Sequence, residues 1–156
     1  MDAVTVRWTA NRQFVGWDPE GHTVVMDARP AYAGEGAGMR PLQVFLCGLA
    51  GCTGMDVISI LEKKRQDVRG LEIVVEGIQR EDEYPKIYVQ VRLHFVVTGY
   101  GVSPAAVERA IQLSEEKYCS VGGMLGPQVR VETSFEVREA APAGTPNVER
   151  KGPARA

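Results

Sequence analysis

Histidine is nearly missing from this chain of 156 residues: there are two, His22 and His94, and each falls inside a strand-like pattern with no cysteine or acid at ligand spacing. That removes the material for a serine–histidine or cysteine–histidine nucleophile and for a histidine-based metal centre. There is no C-x-x-C, no H-E-x-x-H, and no glycine-rich phosphate loop after a strand; Gly122-Gly123 reads as a turn. An excess of one charge is also missing. A formal net charge of −2 supplies no electrostatic reason to expect nucleic acid or an anionic membrane as partner. Three cysteines are an odd count without the density of a secreted disulfide scaffold. Met1-Asp2-Ala3 leads straight into a strand pattern rather than a signal peptide, so reduced thiols in a cytoplasmic protein are the expectation. No cofactor and no metal is expected.

What the chain does have is one long apolar run, Pro41 to Leu61, uncharged from Pro41 to Met55 and then cut by a single acid, Asp56. About 20 such residues would suffice to cross a membrane. Asp56 inside the run and polar alternation elsewhere favour a buried central helix instead, running to about Arg65 with Pro41 at its first position. Gly48, Gly51 and Gly54 recur every three residues within it. Each costs a helix about 1 kcal/mol relative to Ala, so they imply either close approach by another element or a break that starts a second helix near Cys52.

Around this run the periodicity is mostly that of strands. Val4, Val6 and Trp8 alternate with Thr5, Arg7 and Thr9 as a half-buried strand; Phe14–Gly16 and His22–Met26 complete a small meander around the turn Asp18-Pro19-Glu20-Gly21. Residues 28–38 hold only Gly, Ala, Pro and scattered polar residues, and read as a flexible loop. Two strands, Glu72–Gln79 and Lys86–Val97, are joined by a polar connection. On the second, Ile87, Val89, Val91, Leu93, Phe95 and Val97 face the core while Tyr88, Gln90, Arg92 and His94 face away. Ser103-Pro104 starts a helix whose stripe is Val107, Ala110, Ile111, Ser114 and Tyr118, and a last strand follows at Val129–Val137. The fold class is α+β, with antiparallel sheets and helices segregated to one side. Residues 1–138 form a single domain, and 139–156 read as an unstructured tail.

The cysteines are the chemistry on offer. Cys47, flanked by Leu46 and Leu49, reads as core filler. Cys47 and Cys52 lie about 140° apart around a helix, so one continuous helix cannot bring them to a shared metal. Cys52 sits among the small residues Gly51, Thr53 and Gly54, which leave its sulfur accessible; a fresh helix start there would lower its pKa. Cys119 stands where one helix ends and another begins, beside Lys117. On residue types alone, a reactive Cys52–Cys119 pair and two inert thiols both stay open.

The segments AGCTGMDVISILEKKRQDV and VERAIQLSEEKYCSVGGML, placed on either side of an alternating strand pair, resemble the OsmC/Ohr family of thiol-dependent hydroperoxide reductases, in the branch with a KYCSV second-cysteine motif. The resemblance covers about residues 3–138. It implies an OsmC-like fold, an intertwined homodimer with both long helices at its centre, a peroxidatic cysteine at Cys52 and a resolving cysteine at Cys119. It further implies an organic hydroperoxide substrate, a dithiol reductant and a role in oxidative-stress defence. In the hydroperoxide-resistance branch an Arg activates the thiolate, and the Glu of an Asn-Pro-Glu motif holds that Arg. Here the stretch reads Arg40-Pro41-Leu42-Gln43, so Leu42 replaces the Glu, and Arg12 or Arg40 is the candidate cation beside the substrate. That departure keeps two alternatives in view: a non-catalytic module of the same fold that binds an apolar ligand, and a redox sensor.

Overall fold

The computed structural model describes residues 2–141; residues 142–156, most of the expected tail, lie outside the described residues. The chain opens with the antiparallel meander β1 (Thr5–Ala10), β2 (Gln13–Trp17) and β3 (Thr23–Met26), in that order across the sheet. Its connecting turn forms as expected: Gly21 donates to Asp18 O at 3.1 Å, with φ of +92° at Gly21, a conformation that glycine adopts without strain. The expectation of a half-buried first strand is not met within one chain. Every residue of β1 is exposed, and Trp8 retains 62% of its accessible surface.

The loop at 28–38 is not loose. The buried carboxylate of Asp27 accepts hydrogen bonds from the backbone N–H groups of Ala28 (2.7 Å), Glu35 (3.0 Å) and Ala37 (3.0 Å), and gathers the loop around itself. These donors, Ala37 first, hold the Asp27 carboxyl below the ordinary range against the opposing cost of burial. Small residues are there because the backbone doubles back tightly, not because the segment is disordered: a Cβ on Gly34 would stand 2.0 Å from Ala28 O.

Helix α1 (Pro41–Lys63) follows, with Pro41 at its first position and the Gln43 side chain accepting from Arg40 N at 3.0 Å. It is one continuous helix, so the second helix start near Cys52 does not exist and Cys52 lies mid-helix. Leu49, Thr53, Val57 and Leu61, four residues apart, form its buried stripe. Of the three glycines, only Gly54 is closely approached within the chain, by Ile73 Cδ1 at 3.0 Å from where a Cβ would sit; Gly48 and Gly51 meet nothing within 4 Å. Cys47, expected in the core, is exposed on the opposite side.

Strand β4 (Asp67–Gln79) starts five residues earlier than its apolar pattern suggests and pairs antiparallel with β5 (Tyr88–Tyr100). On β5, Val91, Leu93, Phe95 and Val97 are buried as anticipated. Helix α2 (Pro104–Leu113) is capped by Ser103 Oγ, which accepts from Ala106 N. A π-helical turn (Ser114–Tyr118) and the short helix α3 (Ser120–Gly123) then lead to β6 (Arg130–Glu139). That last strand departs from the all-antiparallel expectation: β6 pairs with β5 in parallel, because the helical crossover from the end of β5 returns the chain to run the same way. The core lies between the β4-β5-β6 sheet and α1, α2 and α3.

Candidate active site

Two elements converge on one place. Cys52 and Asp56 lie one turn apart on α1, and the Cys52 Sγ, an Asp56 carboxylate oxygen and Cys119 Sγ all lie within 4.8 Å of one another. The buried stripe of α1 fixes the first two by packing that helix on the core. The third is placed by the π-helical turn, in which Cys119 N donates to Ser114 O at 2.9 Å. This wide turn changes the helical phase. Tyr118, expected on the buried stripe, is turned outward and remains 49% exposed, while Cys119 is carried inward to 7%. The same turn presents Ser114, fully buried, so that its Oγ donates to Asp56 Oδ2 at 2.8 Å.

Cys119 occupies the junction expected of it, capping α3 by accepting from Gly122 N at 3.2 Å. Its Sγ also lies 3.3 Å from Thr53 Oγ1, which in turn reaches Leu49 O at 3.1 Å. The threonine hydroxyl has one proton. It donates to Leu49 O when Cys119 is a thiol, and is available to the sulfur when Cys119 is a thiolate. Burial pushes the Cys119 thiol above the ordinary value, outweighing the stabilising hydrogen bonds from Thr53 and Gly122; the neighbouring Cys52 pushes it the same way. A cavity of about 110 Å³ opens on Cys119, lined by Leu49, Leu93, Leu125 and Val131 with Thr53 and Glu115 among its polar groups.

Arg12 and Arg40 are elsewhere. Both line a groove of about 1380 Å³ between the meander, α1 and β4, and the cysteine on that groove is Cys47, not Cys52. Leu42, standing where the hydroperoxide-resistance motif has Glu, lines it too. Within one chain the structure therefore gathers Cys52 with Cys119 and leaves both arginines apart from them. The two histidines stay outside: His22 meets Asp18 at 2.7 Å in the turn, and His94 Nδ1 lies 2.8 Å from Ser134 Oγ across β5 and β6. Asp56, Ser114 and Thr53 were not singled out as site residues on sequence grounds. The signal for Asp56 was in view, as a lone acid in an uncharged run placed four residues after a cysteine.

The OsmC-like protein family model matches residues 34–134, which takes in both cysteines of the pair and the helices that carry them. The chain belongs to the OsmC-like family. The Escherichia coli (strain K12) protein YhfA is 40% identical over 132 residues, covering 85% of this chain and 95% of its own. Among solved structures, a protein from Aquifex aeolicus VF5 is 31% identical with a TM-score of 0.78, covering 90% of this chain and 98% of its own. An organic hydroperoxide resistance protein OsmC from Legionella pneumophila shares the fold at 17% identity and a TM-score of 0.69, with coverage of 88% and 97%. These likenesses span the whole OsmC-like fold expected from the sequence.

Proposed function

We propose that this OsmC-like protein is a thiol peroxidase that reduces organic hydroperoxides through a Cys52 sulfenic acid resolved by Cys119, in defence against peroxide stress. The observation that carries this reading is the approach of the two sulfurs to within 4.8 Å on elements that the core holds rigidly. A disulfide needs about 2.05 Å between sulfurs, so the proposed cycle requires the two side chains to close the remaining distance. Family membership and the hydroperoxide resistance of the Legionella pneumophila relative named above support the same chemistry.

The two thiols divide the work by environment. Cys52 is half-exposed and can meet a peroxide, whereas Cys119 is buried and kept protonated. The Cys52 thiolate attacks the distal oxygen of the hydroperoxide, the O–O bond breaks, and the alkoxide leaves as alcohol after taking a proton. Cys119 sulfur then displaces hydroxide from the sulfenic acid, its own proton goes with the leaving oxygen as water, and the disulfide forms before over-oxidation. An external dithiol restores both thiols through a mixed disulfide. The apolar cavity beside Cys119 suits an organic substituent.

The active form in this proposal is a cytoplasmic homodimer. Leu42, Phe45 and Met55 on α1 and Val6, Trp8 and Phe14 on the meander are exposed in one chain, and Met55 retains 73% of its surface. The groove that Leu42, Val6 and Phe14 line is larger than the roughly 300–1000 Å³ of ordinary small-molecule sites, and a second copy would cover both surfaces. Arg12 and Arg40 do not flank Cys52 in their own chain, so either of them would assist its thiolate only from that second copy.

Reduced protein, with chelator present, should consume cumene hydroperoxide at the expense of dithiothreitol. Cys52→Ser should abolish turnover, and Cys119→Ser should leave a sulfenic acid that dimedone traps. Full activity in Cys52→Ser would overturn the proposal.

A further inference from the structure

The three groups at the site are also a ligand set. We propose that Cys52, Asp56 and Cys119 of the reduced protein bind a thiophilic divalent cation of the zinc type, and that a Cys52–Cys119 disulfide abolishes this site. The proposal stands on the ligand geometry and does not depend on peroxidase activity. Two sulfurs and a carboxylate oxygen already lie within 4.8 Å of one another. Around a tetrahedral zinc ion, ligands at the usual bond lengths stand about 3.5–3.8 Å apart. Tightening the cluster by about 1 Å, within reach of side-chain rotation, gives that arrangement. Two thiolates select a borderline-soft ion over magnesium or calcium, which prefer all-oxygen shells.

Each ligand but Cys52 has a supporting partner of the kind metal ligands have. Ser114 Oγ, itself wholly buried, donates to Asp56 Oδ2 at 2.8 Å and leaves the other carboxylate oxygen free to bind an ion. Gly122 N donates to Cys119 Sγ at 3.2 Å, and the Thr53 hydroxyl at 3.3 Å can turn to the same sulfur once it is ionised. Cys52 and Asp56 share one rigid face of α1, one turn apart. Three protein ligands leave a fourth position for water, the pattern of an exchangeable rather than a purely structural ion.

The proton and electron balance is closed. The cation is held by two thiolates and one carboxylate, so any proton that either sulfur carries goes to solvent on binding. On oxidation the two sulfurs together give two electrons to the oxidant and join, so neither remains a thiolate and the cation leaves. Bound, it occupies both sulfurs and therefore blocks attack on a peroxide.

The experiment is a titration of the reduced, metal-stripped full chain with zinc against a chromophoric chelator, repeated with cobalt to read the sulfur-to-cobalt charge-transfer band. One ion per chain with that band is expected. Cys52→Ser and Cys119→Ser should lose it, Asp56→Asn should weaken it by more than tenfold, and Ser114→Ala by about tenfold. Cys47→Ala should leave it unchanged, and protein oxidised with diamide, which takes up the two electrons and two protons, should not bind. Asp56→Asn keeps the size of the side chain and an oxygen to accept from Ser114, and circular dichroism checks its fold. No binding by the reduced wild type, binding that survives either serine variant, or an unchanged affinity in Asp56→Asn would each overturn the proposal. Peroxide consumption is measured separately with chelator present, so failure of one reading leaves the other standing.

Discussion

A single hydroxyl illustrates how finely this site is set. Ser114 Oγ is buried and donates to a carboxylate, and bonds to charged groups are among the stronger ones. Ser114→Ala should therefore lower stability by about 2 kcal/mol, measured by urea denaturation. Cys119 carries a second expectation. Burial favours its neutral form, so its folded pKa stands above its unfolded one. The folded state then binds the proton more tightly, and this contribution to stability is fully present below the unfolded thiol pKa and lost as pH rises through the folded one. Iodoacetamide should accordingly modify half-exposed Cys52 well before Cys119, with Cys119 labelling catching up only in alkali; mass spectrometry of timed samples reads both. Equal labelling rates at neutral pH would contradict the burial of Cys119.

At the scale of elements, two contacts decide how the strands and the loop sit. On β5, a Cβ at Gly99 would lie 2.2 Å from Asp67 O and 2.6 Å from Val102 Cγ2, with backbone on one side and core on the other. Gly99→Ala should cost about 2–3 kcal/mol, while the same change at Gly101 is opposed by its φ of +59° rather than by any neighbour. The loop after β3 depends on Asp27, whose three backbone donors are left without their acceptor in Asp27→Ala. Limited proteolysis should then cut within residues 28–38, where the parent chain resists. The folded pKa of Asp27 is depressed, so its contribution is present above the unfolded carboxyl pKa and fades as pH falls through the folded one. Loop cleavage in the parent should rise only in acid.

The whole molecule is marked by what one chain leaves uncovered. Helix α1 buries a single stripe, although its sequence is apolar on nearly every side. Gly48 and Gly51 have no neighbour within 4 Å in their own chain. For an isolated chain, Gly48→Ala should stabilise by about 1 kcal/mol through helix propensity. In the proposed homodimer, where the second copy packs against this face, the same change should destabilise instead. Sedimentation should give the mass of two chains for the parent, and Met55→Glu, placing a charge on the exposed apolar face, should shift it toward one. A single-chain mass for the parent would remove the dimer from the proposed function.

The local elements were legible because their causes are local. Alternation on Val91, Leu93, Phe95 and Val97 marked a core strand, Ser103-Pro104 marked a helix start, and Pro41 marked the head of the long helix. The two motifs around Cys52 and Cys119 identified the family from residues near each other in sequence. Other features needed the folded chain because their causes lie in how the backbone turns and packs rather than in residue pattern. The parallel pairing of β6 depends on the crossover that precedes it, and the inward turn of Cys119 depends on one extra residue in a helical turn. The order of the 28–38 loop depends on a carboxylate just before it, and the exposure of Cys47 depends on which side of α1 meets the sheet. Asp56 shows the boundary most plainly. Its place in the chain made it conspicuous, but only packing of α1 against the π-helical turn brings it to Ser114 and to the Cys119 sulfur, since those partners lie 58 and 63 residues away.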